Sequence, residues 1–370
     1  MKVGVSMKLS TNQLFWLITI MEIGMTALLT ISDAFKKSGQ AAWMSITLAV
    51  ILSLGVTYVA AKLSVLFPGQ TFAEFAPVIA GKWFGNLLLG SYLAVWFAVG
   101  GIILREYSDF VNMSLFSKTP TWAVMLMMIA VMLFCVTGGI QTLGRCSEII
   151  GPFIVGTILL ITVFLSKDFH LFRLTPLVPM QGLVGITQGS ISVFSFLGES
   201  VMVLMLIGFV SPGQRTITAA TGGVAMAGIL LVVMSLSICM VLGPVLPAYL
   251  IYPVYSVVQY VSVMEFIQNI DVLAVIVVIL SIFIKLSLYL FITSYGTAKL
   301  FRISKWKRMV GVAAAIFFLI AMAPRNLVES QVKFPVFWKE FVLPIFIVGI
   351  PLLLLIVGLL RKSRGKLSAP

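Results

Sequence analysis

The chain has 370 residues, 60% of them hydrophobic and only 10% charged, with a mean hydropathy of +1.13. A soluble domain is about 45–50% apolar and about 25% charged, so this composition excludes one. The net charge of +13 fits basic loops beside a membrane better than a nucleic-acid surface.

Apolar runs longer than the roughly 18 residues needed to cross a bilayer recur along the chain. Hydrocarbon offers no partner for a free N–H or C=O, so these runs are read as helices. The short alternating segments of a β-barrel are absent. Ten spans are expected, near 12–35, 40–66, 84–110, 121–140, 146–166, 189–210, 217–243, 270–300, 307–324 and 340–360. The first follows Lys2 and Lys8. It is too long for the apolar region of a signal peptide, about 7–15 residues, and reads as a retained helix. Turn signals separate the spans at Phe67-Pro68-Gly69, at 117–120 and at Ser211-Pro212-Gly213. The segment TFAEFAPVIAGK (71–82) reads as a short interfacial helix. The connections 167–188 and 244–269 are the longest; Pro176, Pro179, Pro244, Pro247 and Pro253 would interrupt any surface helix there. The basic clusters LFRISKWKR and RKSRGK fall on the same side as the N-terminus. That bias predicts cytoplasmic termini, and the clusters could also meet anionic lipid.

Three charged residues lie deep in spans: Glu22, Glu199 and Lys285. The first span reaches Glu22 about ten residues in, and the sixth reaches Glu199 at the same depth. Each carboxylate has a glycine close by, in Glu22-Ile23-Gly24 and Gly198-Glu199. The sixth span comes five after the first, an odd offset, so the two helices run in opposite directions. This is the pattern of an inverted repeat with interrupted helices at mid-membrane. The repeats would be residues 1–166 and 167–370 within one integral membrane domain.

Intramembrane charges face a cavity or each other. A broken helix exposes N–H groups at one end and C=O groups at the other. An amino acid has a carboxylate and an ammonium to match. A glutamate or a carbonyl would hold the ammonium, and N–H groups near Gly24 to Thr26 the carboxylate. The alternative is a Glu199–Lys285 pair that only locks helix packing. In span 8, Ser281, Lys285, Tyr289 and Thr293 recur at fourfold spacing and form one stripe, which faces the bundle interior. In span 3, Tyr92, Trp96 and Gly100 share that spacing. They either floor a pocket or simply pack. Arg105, Glu106 and Asp109 close the span, solvated or paired at its outer end.

Cys135, Cys146 and Cys239 lie far apart and His170 is the single histidine, so neither metal-ligand spacing nor a catalytic constellation is visible. No enzyme activity, metal or cofactor is expected.

ITIMEIGMTALL in span 1 resembles the unwound first-helix motif of the amino acid–polyamine–organocation superfamily, and FSFLGES in span 6 its sixth-helix motif. LSTNQLFWLI, LREYSDFV and IKLSLYLF, with ten spans, are similar to the spore germination receptor B-subunit (spore permease) family. The resemblance implies an all-α, LeuT-like fold with a 5+5 inverted repeat and broken helices 1 and 6. It implies a nutrient germinant receptor subunit in the inner membrane of a bacterial spore, binding a small germinant such as an amino acid. Its partners would be A and C subunits and membrane lipid, not nucleic acid. The family pocket would map onto Glu22, Ile23, Gly24, Met25 and Thr26; Trp96 and Gly100; Phe196, Leu197, Gly198 and Glu199; and Lys285 and Tyr289. Two departures stand out. Met25-Thr26 follows Gly24 where a second glycine is usual, and Leu29-Thr30 stands where Leu-Pro often does. The rival reading is an amino acid permease, with proton coupling through Glu22 or Glu199 as one form of it.

Overall fold

A computed structural model describes residues 8–176, 182–211, 215–260, 271–324, 329 and 334–363. Helix α1 (Thr11–Ser38) opens on a capping box. Ser10 Oγ accepts the Gln13 N–H at 3.1 Å, and the Gln13 side chain accepts the Ser10 N–H at 3.0 Å. These bonds satisfy donors that a helix start leaves without partners. Gly39, at φ 53, ends α1 in a backbone conformation open to glycine, and a 3-10 turn (Gly39–Ala41) leads into α2 (Ala42–Val65). The interfacial segment forms α3 (Phe72–Ala80), started by a second capping box between Thr71 and Glu74.

Then follow α4 (Lys82–Ser114), α5 (Thr121–Thr137), α6 (Ile140–Leu165) and α7 (Gly182–Leu197). The chain continues from α7 through a 3-10 turn (Gly198–Met202), α8 (Val203–Leu206) and another 3-10 turn (Ile207–Phe209). Beyond it lie α9 (Thr216–Leu242), α10 (Pro253–Tyr260), α11 (Asp271–Leu300) and α12 (Arg308–Met322). A π-helical stretch (Trp338–Gly349) passes into α13 (Ile350–Ser363).

Among the described residues, seven helical segments are long and apolar enough to cross a membrane, the first running through both α1 and α2. The shorter apolar helices α5 and α12 pack beside them. The protein is a multi-pass, all-helical integral membrane protein. The run from Gly182 to Phe209 is the innermost: 89% of its most apolar window is buried, against 33% for the run that contains α6. Helix α1 packs against α6, α7, α9 and α11, so it also lies at the centre.

Both ends of the bundle are tied. At the α1 N-terminal end, Leu9 donates its N–H to Phe209 O at 2.8 Å. Asn12 and Gln13 donate side-chain N–H groups to Glu148 at 2.9 and 3.1 Å. Lys299 meets Glu74 at 2.7 Å. At the other end, Lys339 meets Asp33 at 2.6 Å.

Three sequence expectations change. Helix α1 runs unbroken through Ile23–Thr26; no proline or second glycine interrupts it there. The sixth span keeps helical winding but tightens to 3-10 geometry at Gly198–Met202 rather than unwinding. Helix α6 begins at Ile140, not near 146: the connection from α5 is a tight turn through Gly139, at φ 87, and the helix starts at the next residue. Pro179, Pro212, Gly213 and the RKSRGK cluster from Arg364 onward lie outside the described residues.

Candidate buried charge cluster

Glu199, Lys285 and Tyr289 meet in the interior. Lys285 Nζ lies 2.8 Å from Glu199 Oε2, and the Tyr289 hydroxyl donates to the same oxygen at 2.6 Å. All three side chains are nearly sealed, at 3%, 1% and 1% exposure. The 3-10 turn at Gly198 brings Glu199 to this place, and the fourfold spacing on α11 delivers Lys285 and Tyr289 together. Glu199 is thus neutralised and held.

Glu22 is different. It is completely buried on α1, close enough to Lys285 and Glu199 for their charges to act on it. Neither of its carboxylate oxygens has a hydrogen-bond partner. One turn on, the Thr26 hydroxyl is also buried and without one. Lys285 Nζ, though paired by charge, directs no well-aligned hydrogen bond. The cluster therefore holds unmet acceptors at Glu22 and an unmet hydroxyl at Thr26, beside a Lys285 ammonium that has three donors and is paired with Glu199. Buried polar groups left this way are costly, and natural proteins leave few of them.

Ser281, one turn before Lys285, binds the backbone of α1. Its hydroxyl accepts the Gly24 N–H at 2.9 Å and donates to Ile20 O at 2.6 Å. Those two backbone groups are the partners that an α-helix joins directly. A Cβ on Gly24 would lie 2.7 Å from Ser281 Oγ, so only glycine admits the hydroxyl.

The other candidate residues divide. Ile23 and Gly24 line a small apolar cavity of about 40 Å³ between α1, α6, α9, α10 and α11. Met25 is fully buried. Trp96 packs on Tyr92 with ring centroids 5.2 Å apart, and the Tyr92 hydroxyl donates to Phe346 O at 2.6 Å. Gly100 faces Phe317 of α12: a Cβ there would lie 2.3 Å from the ring. Gly198 faces Ile347 in the same way, at 2.6 Å. Phe196 lies beside Trp338 at 6.5 Å between ring centroids, and Leu197 is fully buried. Thr293 returns its hydroxyl to Tyr289 O on its own helix. At the end of α4, Arg105 pairs with Asp109 at 2.9 Å and donates to Pro324 O at 2.8 Å. Glu106 is 2% exposed rather than solvated. The Thr57–Ser200 hydroxyl contact at 2.7 Å, which ties α2 to the turn holding Glu199, carried no sequence signal. Among the described residues, no group of three or more His, Cys, Asp or Glu could hold a metal ion.

The fold is that of the LeuT-like transporters, as its likeness to two solved structures shows. MhsT, solved in complex with L-phenylalanine, superposes with a TM-score of 0.66 over 95% of this chain and 99% of its own, at 12% identity. Mhp1, a nucleobase-cation-symport-1 family transporter solved closed with bromovinylhydantoin bound, gives 0.58 over 91% and 79%, at 15% identity. Residues 8–330 match the spore permease family, described as spore germination protein, and the chain belongs to that family. Spore germination protein YndE of Bacillus subtilis (strain 168) is 28% identical over 49% of this chain and 50% of its own. Spore germination protein KB of the same organism is 24% identical over 60% and 58%. The chain spans about half the length of the curated relatives it matches.

Proposed function

We propose that this chain is a germinant-receptor subunit that binds a small zwitterion of the amino-acid class at the buried cluster. The carrying observation is a complementary set: the unmet oxygens of Glu22 and the unmet Thr26 Oγ1, beside the Lys285 ammonium, which has donors beyond the one it turns to Glu199. An ammonium answers Glu22, and a carboxylate answers Lys285 and Thr26. Glu199, already held by Lys285 and Tyr289, braces the site. The ten-pass arrangement, the two inverted repeats (1–166 and 167–370), cytoplasmic termini and residence in the spore inner membrane belong to this reading. So do A and C partner subunits. Ligand binding would shift the balance between two states of the helical core, and the partners would read that shift.

The second reading is an amino acid permease, favoured by the fold shared with MhsT and Mhp1. One pair of measurements separates the two. Individual L-amino acids are screened for a thermal shift of the protein in nanodiscs, and those that bind are tested for uptake into proteoliposomes. Binding that is lost in Glu22→Gln, without sustained uptake, supports the receptor. Saturable, sustained flux points to the permease. Binding unaffected by Glu22→Gln removes the proposed site.

A further inference from the structure

A second polar space lies toward the C-terminal end of α1. It is a solvent-open vestibule whose empty space, open solvent included, is about 780 Å³. Asp33 and Lys36 reach it from α1, Glu106 from α4, Ser192 from α7 and Lys339 from the π-helical stretch. Asp33 lies about three turns beyond Glu22, and Ser192 about two turns before Glu199. The vestibule therefore stands over the buried cluster without sharing a residue with it.

Its charges are balanced: two carboxylates and two ammoniums line one space. Glu106 and Ser192 are each 2% exposed, so they form fixed walls. Asp33 and Lys339 meet at 2.6 Å, but their side chains keep 27% and 26% of their exposure. A pair this wet contributes little and opens at little cost. An anion alone would face Asp33 and Glu106, and a cation alone would face Lys36 and Lys339. A zwitterion meets both signs with charge-assisted hydrogen bonds.

We infer that this vestibule is a second binding site, for a zwitterionic solute of the amino-acid class. The solute's ammonium takes the place of Lys339 at Asp33, and its carboxylate takes the place of Asp33 at Lys339. The inference uses only the vestibule's own charges, so it stands or falls apart from the buried cluster.

The test is equilibrium binding to the full chain in lipid nanodiscs, with the twenty common L-amino acids as radiolabelled probes titrated singly. At least one probe is expected to fill two sites per chain. Lys339→Gln and Asp33→Asn should each weaken one site at least tenfold and leave the other. Glu22→Gln should remove only the other. The swapped pair, Asp33→Lys with Lys339→Asp, should restore the weakened site, which separates lost binding from lost folding. A single site, lost in Glu22→Gln and untouched at Asp33 and Lys339, overturns the vestibule and leaves the central reading intact. A single site lost only at Asp33 and Lys339 does the reverse. Two sites that ignore both vestibule substitutions, or no binding by any probe, also overturn the inference.

Discussion

Ser281 holds both ends of one rung of α1: it accepts from Gly24 N and donates to Ile20 O. A hydroxyl inserted into the backbone ladder is one of the recognised causes of local helix distortion. Here it ties α11 to α1 within two residues of Glu22 on either side. Any movement of α11 that carries Lys285 must therefore act on the α1 backbone at the same place.

That contact predicts an asymmetric mutant cycle. Gly24→Ala would bring its Cβ 2.7 Å from Ser281 Oγ and 2.8 Å from Ser281 Cβ. Overpacking of this kind costs about 1–3 kcal/mol. Ser281→Ala removes Oγ but leaves Cβ, so it should not rescue Gly24→Ala. Ser281→Gly removes both and should recover part of the loss. Thermal unfolding of the three single and two double variants in detergent measures the coupling, and equal rescue by alanine and glycine would refute the geometry.

The Glu199–Lys285 pair predicts a large penalty for halving it. Removing one member of a buried pair strands the other charge and costs about 3–5 kcal/mol. Glu199→Gln and Lys285→Met should each lower the unfolding temperature sharply. The double variant should recover most of the loss, because neither member of the pair is left without the other. Tyr289→Phe removes one hydrogen bond to a charged acceptor and should cost about 1.5–3 kcal/mol. A double variant no more stable than the singles would show that the pair is not the stabilising unit.

Glu22 predicts the opposite pattern. Its carboxylate has no hydrogen-bond partner to lose, so Glu22→Gln should leave thermal stability unchanged or raise it. The same substitution should abolish the thermal shift given by an amino acid and, in spores, the germination response. Strong destabilisation with ligand binding retained would assign Glu22 to the scaffold.

How far the sequence revealed this site depends on which contacts are local. Charges at 22, 199 and 285 stand out because hydrocarbon makes them expensive. The alignment of Ser281, Lys285 and Tyr289 follows from helical period alone. What Ser281 touches could not be read, since its partner Gly24 lies 257 residues away. The unbroken course of α1 was hidden for the same reason: a glycine beside a carboxylate reads as a break until the Ser281 hydroxyl of another helix is seen bonded to that turn. Glu106 read as a surface charge because it sits at a span end, and only the packing of α1, α4 and α7 shows that it lines a vestibule. The short helix at 72–80 was readable because its start is a local capping signal.

Gly100 offers the last test, between a pocket floor and a packing contact. Its missing side chain admits Phe317, whose ring would lie 2.3 Å from an added Cβ. Phe317 is fully buried, so the ring has little room to retreat. Gly100→Ala should destabilise by about 1–3 kcal/mol. Phe317→Leu, which shortens the opposing group, should restore much of that loss in the double variant. Amino acid binding by the folded fraction should match the unsubstituted chain, because the contact joins α4 to α12 and not to Glu22 or Lys285. A Gly100→Ala protein that unfolds normally yet binds no amino acid would instead place Gly100 in the pocket.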